Sequence, residues 1–489
     1  MRFRVIRKRM KRLAIMAVVA AVTLFTVRVY DTQRGPALEP WHTEAPPELE
    51  AAALDHTDWA GYLKAEQRAF DDVYRNVTQK LDSSERLPLN RYFEGSPIYP
   101  EHFRHDWNRS YELVPPGKPR GAVVMLHGLT DSPYSLRHLA EHYRQRGWLV
   151  VGIRLPAHGT VPGALTRVSW EDWLAATRLA VREARAKTGP EAPLQLVGFS
   201  NGGALAMKYT LDSLQDKTLA RPQRVVLISP MIGVTAFARF AGIAGWPAVF
   251  PPFAKAAWLS ILPEFNPFKY NSFPVNGARQ SWQLTQALQQ QIAAAQRGGQ
   301  LTQLPPVLTF QSVLDSTVST RAVVEALYNR LPANGSELVL FDINRRAEFG
   351  PLLRPDADTA IDTLLPAPPR RYTTTVISNA PPGAKTPGNS AVAVRLSAGQ
   401  TVPQQQVLGI AYPPEIYSLS HVALPFPPED SLYGRTPVPL HQFGISFGTL
   451  ASRGERGALV ESMDALMRIS SNPFYPYLLA RIDQGIAQE

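Results

Sequence analysis

The feature that most constrains the fold is a strand-like run that enters a tight, glycine-flanked turn and leaves it as a helix. Residues 194–197 are strand-like, residues 198–202 read Gly-Phe-Ser-Asn-Gly, and residues 203–209 have helical character. In this setting the turn lifts the hydroxyl of Ser200 into a cleft, and a Cβ on either flanking glycine would clash. The pattern predicts that Ser200 is a nucleophile; an ordinary strand-to-helix turn is the alternative.

The rest of the central region repeats the same alternation of strand and helix. Apolar runs at residues 121–126, 148–155 and 224–229 are separated by helical patterns at 132–146 and 169–187. Continuous apolar strands alternating with helices predict a parallel sheet that is covered on both faces. Reactive groups gather at the carboxyl ends of the strands in such sheets.

Two backbone N–H groups are predicted to stabilise a negative charge beside Ser200. Leu129 follows the first of these strands, and Asn201 begins the helix after the turn. Donors from both positions would form an oxyanion hole. His127 and His158 lie before the serine or in a neighbouring loop, so we expect them to hold loops by hydrogen bonding rather than to act as bases.

The N-terminal segment carries most of the excess positive charge. Residues 1–12 contain seven basic side chains and no acid, and removing these seven from the net charge of +10 leaves +3 for the other 477 residues. Without a basic stripe in the body, nucleic-acid binding is not expected. Residues 13–27 are apolar except for two threonines, which predicts membrane insertion with the N-terminus inside. Residues 31–57 are typical of a tether, and the spacing within 59–81 predicts a packing helix.

The residues after the apolar run are not small, which favours an uncleaved anchor over a signal peptide. We therefore expect a single-pass inner-membrane protein with its body on the periplasmic or extracytoplasmic side. Secretion after signal cleavage is the alternative. The absence of cysteine suits an oxidising compartment.

Three motifs together resemble the α/β-hydrolases. Residues 127–133 read His-Gly-Leu-Thr-Asp-Ser-Pro, residues 155–160 read Leu-Pro-Ala-His-Gly-Thr, and residues 198–202 are the serine turn. They are most similar to the branch containing monoglyceride lipases, lysophospholipases and serine-aminopeptidase-like proteins. The resemblance implies the α/β-hydrolase fold, a mostly parallel sheet with helices on both faces, here with a helical lid and an N-terminal membrane helix.

Chain order in this fold identifies the base, because the histidine follows both the serine and the acid. Of ten histidines, only His421 and His441 lie after the first plausible acid. His421 lies in a short strand-like run, 416–422, that opens into a proline-rich loop, which would let it face the serine. We predict His421 as the base and His441 as a surface or packing residue.

The acid is predicted from its place at a strand end. Asp315 follows the apolar run 307–314 and precedes a helical run, 318–331. It can orient the histidine there, or it can cap the helix. Weaker candidates for the acid are Asp342, Asp356 and Asp358. The predicted catalytic residues are thus Ser200, His421 and Asp315, and no metal or cofactor is expected.

Residues 235–304 are too long for a simple crossover and fit a lid. Its aromatic residues are Phe237, Phe240, Trp246, Phe250, Phe253, Trp258, Phe265, Phe268, Tyr270, Phe273 and Trp282. Most are expected to pack the lid onto the body and the remainder to line an apolar tunnel. Its only acid is Glu264, whereas its basic residues are Arg239, Lys255, Lys269, Arg279 and Arg297. A free amine would require carboxylates, so the lid favours an ester of an apolar acid and allows it an anionic head.

The predicted organisation is an anchor or signal peptide at 1–30, a tether and packing helix at 31–105, and a hydrolase domain at 106–489. Within the last, an insert spans about 345–410, and its runs at 372–378 and 391–397 are interpreted as a hairpin. The predicted function is hydrolysis of carboxylic esters, lipid-like or acyl, through an acyl-enzyme. The alternatives are a peptidase that releases N-terminal residues and a non-catalytic anchored binding module.

Overall fold

The fold is built on one large twisted sheet. The computed structural model describes residues 2–233, 251–346, 357, 359–380, 390–450, 468 and 470–487. Within these, the strands are β1 (Tyr111–Leu113), β2 (Gly121–Leu126), β3 (Trp148–Ile153), β4 (Leu194–Phe199), β5 (Arg224–Ile228), β6 (Trp258–Ser260), β7 (Phe273–Pro274), β8 (Val307–Ser312), β9 (Glu337–Phe341), β10 (Thr373–Asn379), β11 (Ser390–Leu396) and β12 (Gln404–Ala411). Ten of them form a sheet in the order β1-β3-β2-β4-β5-β8-β9-β10-β11-β12, and β6 pairs with β7 apart from it.

The sheet is mostly parallel, as predicted. Strands β3, β2, β4, β5, β8, β9 and β10 run in one direction, while β1 and β11 pair antiparallel with their neighbours. Successive side chains of a strand point to opposite faces. In β2, Val124 and Leu126 enter one core, whereas Val123 and Met125 enter the other. Both faces of the sheet are therefore buried.

Helices cover both cores. The described helices are α1 (Arg2–Arg34), α2 (Pro40–Thr43), α3 (Ala51–His56), α4 (Trp59–Asn76), α5 (Arg137–Gln145), α6 (Trp170–Thr188), α7 (Asn201–Gln215), α8 (Val275–Arg297), α9 (Thr320–Ala322), α10 (Ala360–Leu364) and α11 (Tyr475–Ile486). Helices α6, α7 and α8 contribute to one core, and α5 and α11 contribute to the other. This arrangement confirms the predicted α/β-hydrolase architecture.

The N-terminal region differs from its prediction in two ways. Helix α1 is longer than the apolar run, and its stretch Ile6–Tyr30 is long and apolar enough to cross a membrane. Residues 31–57 are packed rather than extended as a tether: Trp41 stacks on Tyr92 with ring centroids 5.3 Å apart. Local periodicity could not predict this packing, because its partners are distant in sequence.

Several predicted elements near the site also need correction. The run 318–331 is not one α-helix but α9 followed by a π-helical turn, Val323–Leu327, and a 3₁₀ turn, Tyr328–Arg330. The run 416–422 is not a strand: residues 416–420 are irregular, with a bend at 417–418, and a 3₁₀ helix, His421–Ala423, follows.

The two runs interpreted as an inserted hairpin are β10 and β11, and they pair antiparallel with each other. They are not separate from the core, because β10 also pairs parallel with β9 and so extends the central sheet. A third strand, β12, completes this edge and was not predicted. Its polar start, Gln404 to Gln406, is exposed and lacks the apolar alternation of a half-buried strand.

Candidate active site

Ser200 lies between β4 and α7 in a backbone conformation that L-residues seldom adopt. Its φ is +53° and its ψ is −115°. The turn is closed by glycines: a Cβ on Gly198 would lie 2.3 Å from the carbonyl oxygen of Gly202, and one on Gly202 would lie 1.9 Å from that of Leu126. Both glycines are thus required sterically, as predicted. The side chain of Ser200 opens into a cavity beside the carboxyl ends of the strands.

Asp315 and His421 are in direct contact at the edge of that cavity. The Nδ1 of His421 and the Oδ2 of Asp315 are 2.8 Å apart, and both side chains are buried. Since a carboxylate only accepts, Nδ1 carries the proton of this bond, which leaves Nε2 as the basic nitrogen. His421 lines the same cavity as Ser200.

The environment of Asp315 favours its carboxylate. Its Oδ1 accepts the N–H groups of Thr317 and Val318 at 2.8 and 3.0 Å, and its Oδ2 also accepts from Gln311 at 3.0 Å. Burial alone would raise the pKa of Asp315, but His421 and the two N–H groups outweigh it and lower the pKa. The residue that caps the helix is Ser319 rather than Asp315, because the Oγ of Ser319 accepts the N–H of Ala322 in α9.

The two predicted oxyanion donors have free N–H groups. Leu129 lines the cavity, and Asn201 is the first residue of α7. Within the described part of the chain, neither N–H donates a hydrogen bond. For Asn201 this is expected, because the first N–H groups of a helix have no partner within the helix. Both are therefore available to a ligand oxygen.

His127 and His158 were predicted to hold loops by hydrogen bonding rather than to act as bases, and their surroundings agree with that prediction. The Nδ1 of His127 is 2.9 Å from the carbonyl oxygen of Gly128, and its Nε2 accepts the N–H of Leu155 at 3.0 Å. Burial lowers the pKa of His127 far below its usual value, and lowers that of His158 to about 4. His441 is exposed.

The rival acids do not join this cluster. Asp342 pairs with Arg345 at 2.9 Å, and Asp356 and Asp358 lie outside the described residues.

The cavity that Ser200 opens into has a volume of about 310 Å³ and two kinds of lining. Its apolar side chains are Leu129, Phe199, Met231, Leu259, Phe273, Ala278, Val318 and Val422. Of the lid aromatics, Phe273 lines the cavity, whereas Phe265 and Phe268 are buried in a separate cluster. Phe237, Phe240, Trp246, Phe250 and the basic Arg239 lie outside the described residues.

The polar part of the lining contains charged groups whose place in the cavity was not predicted from the sequence. Asp131, Lys269 and Arg468 all face the cavity. Burial raises the pKa of Asp131 to about 6. The lid acid Glu264 instead accepts the N–H groups of Asn271 and Ser272. The expectation from the sequence concerned the acids of the lid alone, whereas the carboxylate that lines the cavity, Asp131, comes from the body.

Comparison with known proteins bears on this arrangement. Residues 117–344 match the model of a family described as serine aminopeptidase, S33. This part of the chain is an α/β-hydrolase of the serine-aminopeptidase-like branch. The match includes the positions of Ser200 and Asp315 and ends before His421.

Individual relatives are similar over shorter stretches. A thermostable monoacylglycerol lipase from Bacillus sp. (strain H-257) is 33% identical over 87 residues, which are 17% of this chain and 33% of that protein. This α/β-hydrolase thus aligns with a third of that relative's length.

Solved structures are similar at lower identity. A structure from the metagenome-derived lipolytic enzymes LipS and LipT is 23% identical, covers 48% of this chain and 88% of its own, and has a TM-score of 0.38. The monoacylglycerol lipase of Paleococcus ferrophilus is 18% identical over 52% of this chain and 97% of its own, with a TM-score of 0.36. The family assignment rests on the family model and the sheet topology rather than on these scores.

Proposed function

We propose that this protein is a serine hydrolase of carboxylic esters with Ser200, His421 and Asp315 as its catalytic residues. The observation that carries the proposal is the 2.8 Å contact between His421 and Asp315 at the cavity into which Ser200 opens. A histidine held by a buried carboxylate has its other nitrogen free to act as a base.

In the proposed mechanism, the Nε2 of His421 takes the proton of the Ser200 hydroxyl as its oxygen attacks the ester carbonyl. The N–H groups of Leu129 and Asn201 bind the oxyanion that forms. His421 then returns the proton to the leaving alcohol, and the acyl group stays on Ser200. Water, activated by the same nitrogen, attacks the acyl-enzyme and releases the acid.

An acyl ester is favoured as substrate over a peptide with a free amine. The apolar lining suits an acyl chain, and the similarity to a monoacylglycerol lipase supports this class. Asp131 is a carboxylate in the cavity, but Lys269 and Arg468 set two cations against it. A substrate ammonium would meet net positive charge there, which argues against the aminopeptidase alternative.

The test is labelling of the purified full-length protein by a fluorophosphonate probe, together with turnover of aryl esters of graded chain length. Wild type should be labelled and Ser200→Ala should be neither labelled nor active. Ser229→Ala is the matched control, since Ser229 also has a positive φ at the end of the neighbouring strand but lies outside the cavity lining. Labelling or turnover that survives in Ser200→Ala would overturn the proposed nucleophile. A wild type that is neither labelled nor active would favour the non-catalytic module.

We further propose that α1 is an uncleaved inner-membrane anchor with the hydrolase on the extracytoplasmic side. The C-terminal part of α1 contacts the lid, where Arg28 donates to the carbonyl oxygen of Trp258 at 2.5 Å and Gln33 to that of Pro252 at 2.7 Å. Cleavage at the predicted boundary, residue 30, would remove Arg28 from Trp258 but would leave Gln33 with the body. An N-terminal tag that is lost from the mature protein would instead favour the signal peptide.

A further inference from the structure

The position of Lys269 is fixed by its two neighbours in the lid. The ring of Phe268 stacks on Tyr134 with centroids 4.2 Å apart. The N–H of Tyr270 donates to the carbonyl oxygen of Thr130 at 2.7 Å. Thr130 follows Leu129, so this bond ties the lid to the loop of the proposed oxyanion hole. The side chain of Lys269, between these anchored residues, lines the catalytic cavity.

The ammonium group of Lys269 has no direct ion-pair or hydrogen-bond partner among the described residues. Within the described part of the chain, it makes no ion pair within 4.0 Å and no hydrogen bond. Burial lowers its pKa, and the nearby Asp131 opposes that shift without contacting the ammonium. The residue is half-buried and faces the cavity, so the hydrogen-bonding capacity of its ammonium is open to a ligand there.

A second cation lies at the same cavity. Arg468 is exposed, and one guanidinium nitrogen donates to the Oγ1 of Thr317 at 2.5 Å, two residues after Asp315. The other described lid cations are elsewhere: Lys255 donates to the carbonyl oxygen of Gly35, and Arg279 and Arg297 are exposed on α8 outside the lining. Two cations therefore face the cavity against one carboxylate.

We propose that Lys269, with Arg468, binds an anionic oxygen group of the ester substrate, so that the preferred substrate is an acyl ester that carries a phosphate or a carboxylate. This inference rests on the proposed function and adds to it the charge of the substrate. The substrate anion completes the hydrogen bonds that the protein leaves open on the Lys269 ammonium. A charge-assisted bond of this kind is stronger than one between neutral groups.

The experiment compares two matched pairs of esters on the full-length protein. In the first pair, a monoacylglycerol and its 3-phosphate differ only by the phosphate on the alcohol side. In the second, 4-nitrophenyl butyrate and the mono-4-nitrophenyl ester of glutaric acid differ mainly by a carboxylate on the acyl side. The quantity measured is the ratio of kcat/KM for the anionic ester to that for the neutral one.

Wild type should prefer the anionic member of at least one pair, and that pair identifies the side on which the anion lies. Lys269→Met should lower this ratio about tenfold or more, because a hydrogen bond to a charged group is lost. Lys269→Arg should restore most of it, and Arg279→Gln, the matched control, should leave it unchanged. Should Lys269→Met fail to fold, inhibition of wild type by an alkyl phosphate against the alcohol of equal chain length provides the comparison.

Failure of this inference and failure of the proposed function would give different results. If wild type cleaves neutral esters but prefers neither anionic ester, or if the ratio is the same in Lys269→Met, this inference is overturned and the proposed function stands. Equal inhibition by the alkyl phosphate and the alcohol would overturn it as well. If neutral esters are not cleaved and Ser200 is not labelled, the proposed function itself fails.

Discussion

At the scale of single residues, the site depends on a backbone that few sequences can adopt. Ser200 has a positive φ without being glycine, and such strain persists only where surrounding contacts enforce it. Here the N–H of Ser200 is held by the carbonyl oxygen of Ile228 at 3.0 Å, and its own carbonyl oxygen accepts the N–H of Met231 at 2.9 Å. The strain directs the hydroxyl into the cavity rather than along the strand.

The first prediction concerns Asp315. We expect Asp315→Asn to lower kcat about 10⁴-fold, because an amide can donate to Nδ1 and so favours the wrong tautomer of His421. KM should change little, since Asp315 does not itself line the cavity. Steady-state kinetics on an aryl ester measures both constants.

Asp342→Asn is the control for this prediction. Asp342 is the rival acid, but it pairs with Arg345 and not with His421. Per folded molecule, its kcat should stay near that of wild type. An equal loss in both variants would show that the assignment of Asp315 is wrong.

At the scale of elements, side chains at the two ends of α5 pair with two carboxylates from other parts of the chain. These two carboxylates differ mainly in burial. Arg137 and His138, at its start, contact Asp430 at 2.6 and 2.9 Å, and Asp430 is fully buried. His142 and Arg146, at its end, each contact Asp483 at 2.7 Å, on a side chain that is 30% exposed. Asp430 belongs to the loop after His421, so the first cluster connects α5 to the base.

The second prediction compares these clusters. We expect Asp430→Asn to lower the free energy of unfolding by about 3–5 kcal/mol, because it leaves the Arg137 guanidinium buried and unpaired. Asp483→Asn should cost only about 0–1 kcal/mol, as for exposed ion pairs. Denaturant unfolding of both variants in the same detergent measures the difference. Equal losses would contradict the role assigned to burial.

The elements also show what a sequence can and cannot predict. The turn at Ser200 and the loop at Leu129 are local patterns, and chain order led to Asp315 and His421, which the structure brings into contact. Their catalytic roles stay predictions. The position of Lys269 in the cavity could not be predicted, because it depends on Phe268 and Tyr270 packing against residues far away in the chain.

At the scale of the whole molecule, buried neutral histidines link stability to pH. Burial lowers the pKa of His42 and of His158 to about 4, and it also lowers the pKa of His127 well below its usual value. The unfolded chain takes up protons near pH 6.5, whereas the folded protein does not until about pH 4. The stability contributed by these histidines is therefore complete above pH 6.5 and is lost as the pH falls toward 4. Asp131, whose pKa is raised to about 6, acts in the opposite direction and only in part offsets them.

The third prediction isolates His158 from the other groups. Between pH 6.5 and 5, its share of the lost stability is about 2 kcal/mol, since one pKa unit corresponds to about 1.4 kcal/mol. We expect the fall in Tm over this range to be smaller in His158→Gln than in wild type, whatever the variant costs at pH 7. Thermal unfolding at each pH measures it, with the exposed His441 changed to Gln as the matched control. A fall as steep in His158→Gln as in wild type would contradict the prediction.

The proposed orientation of the molecule in a membrane rests on its charge distribution. Seven basic residues precede the apolar stretch of α1 and favour a cytoplasmic N-terminus. The C-terminal end of α1 contacts the lid, and the lid residue Leu259 lines the catalytic cavity. An anchored protein would thus hold its cavity close to the membrane surface, where lipid esters are available.

The fourth prediction uses the absence of cysteine from the natural chain to test that orientation. A cysteine in place of Val402, whose residue is 76% exposed in the body, should react with a membrane-impermeant maleimide on intact spheroplasts. A cysteine added after Met1 should react only after lysis, because the basic flank stays in the cytoplasm. The reverse pattern would place the hydrolase in the cytoplasm. Loss of the N-terminal cysteine from the mature protein would show cleavage, and cleavage at residue 30 would remove the contact of Arg28 with Trp258 from the working enzyme.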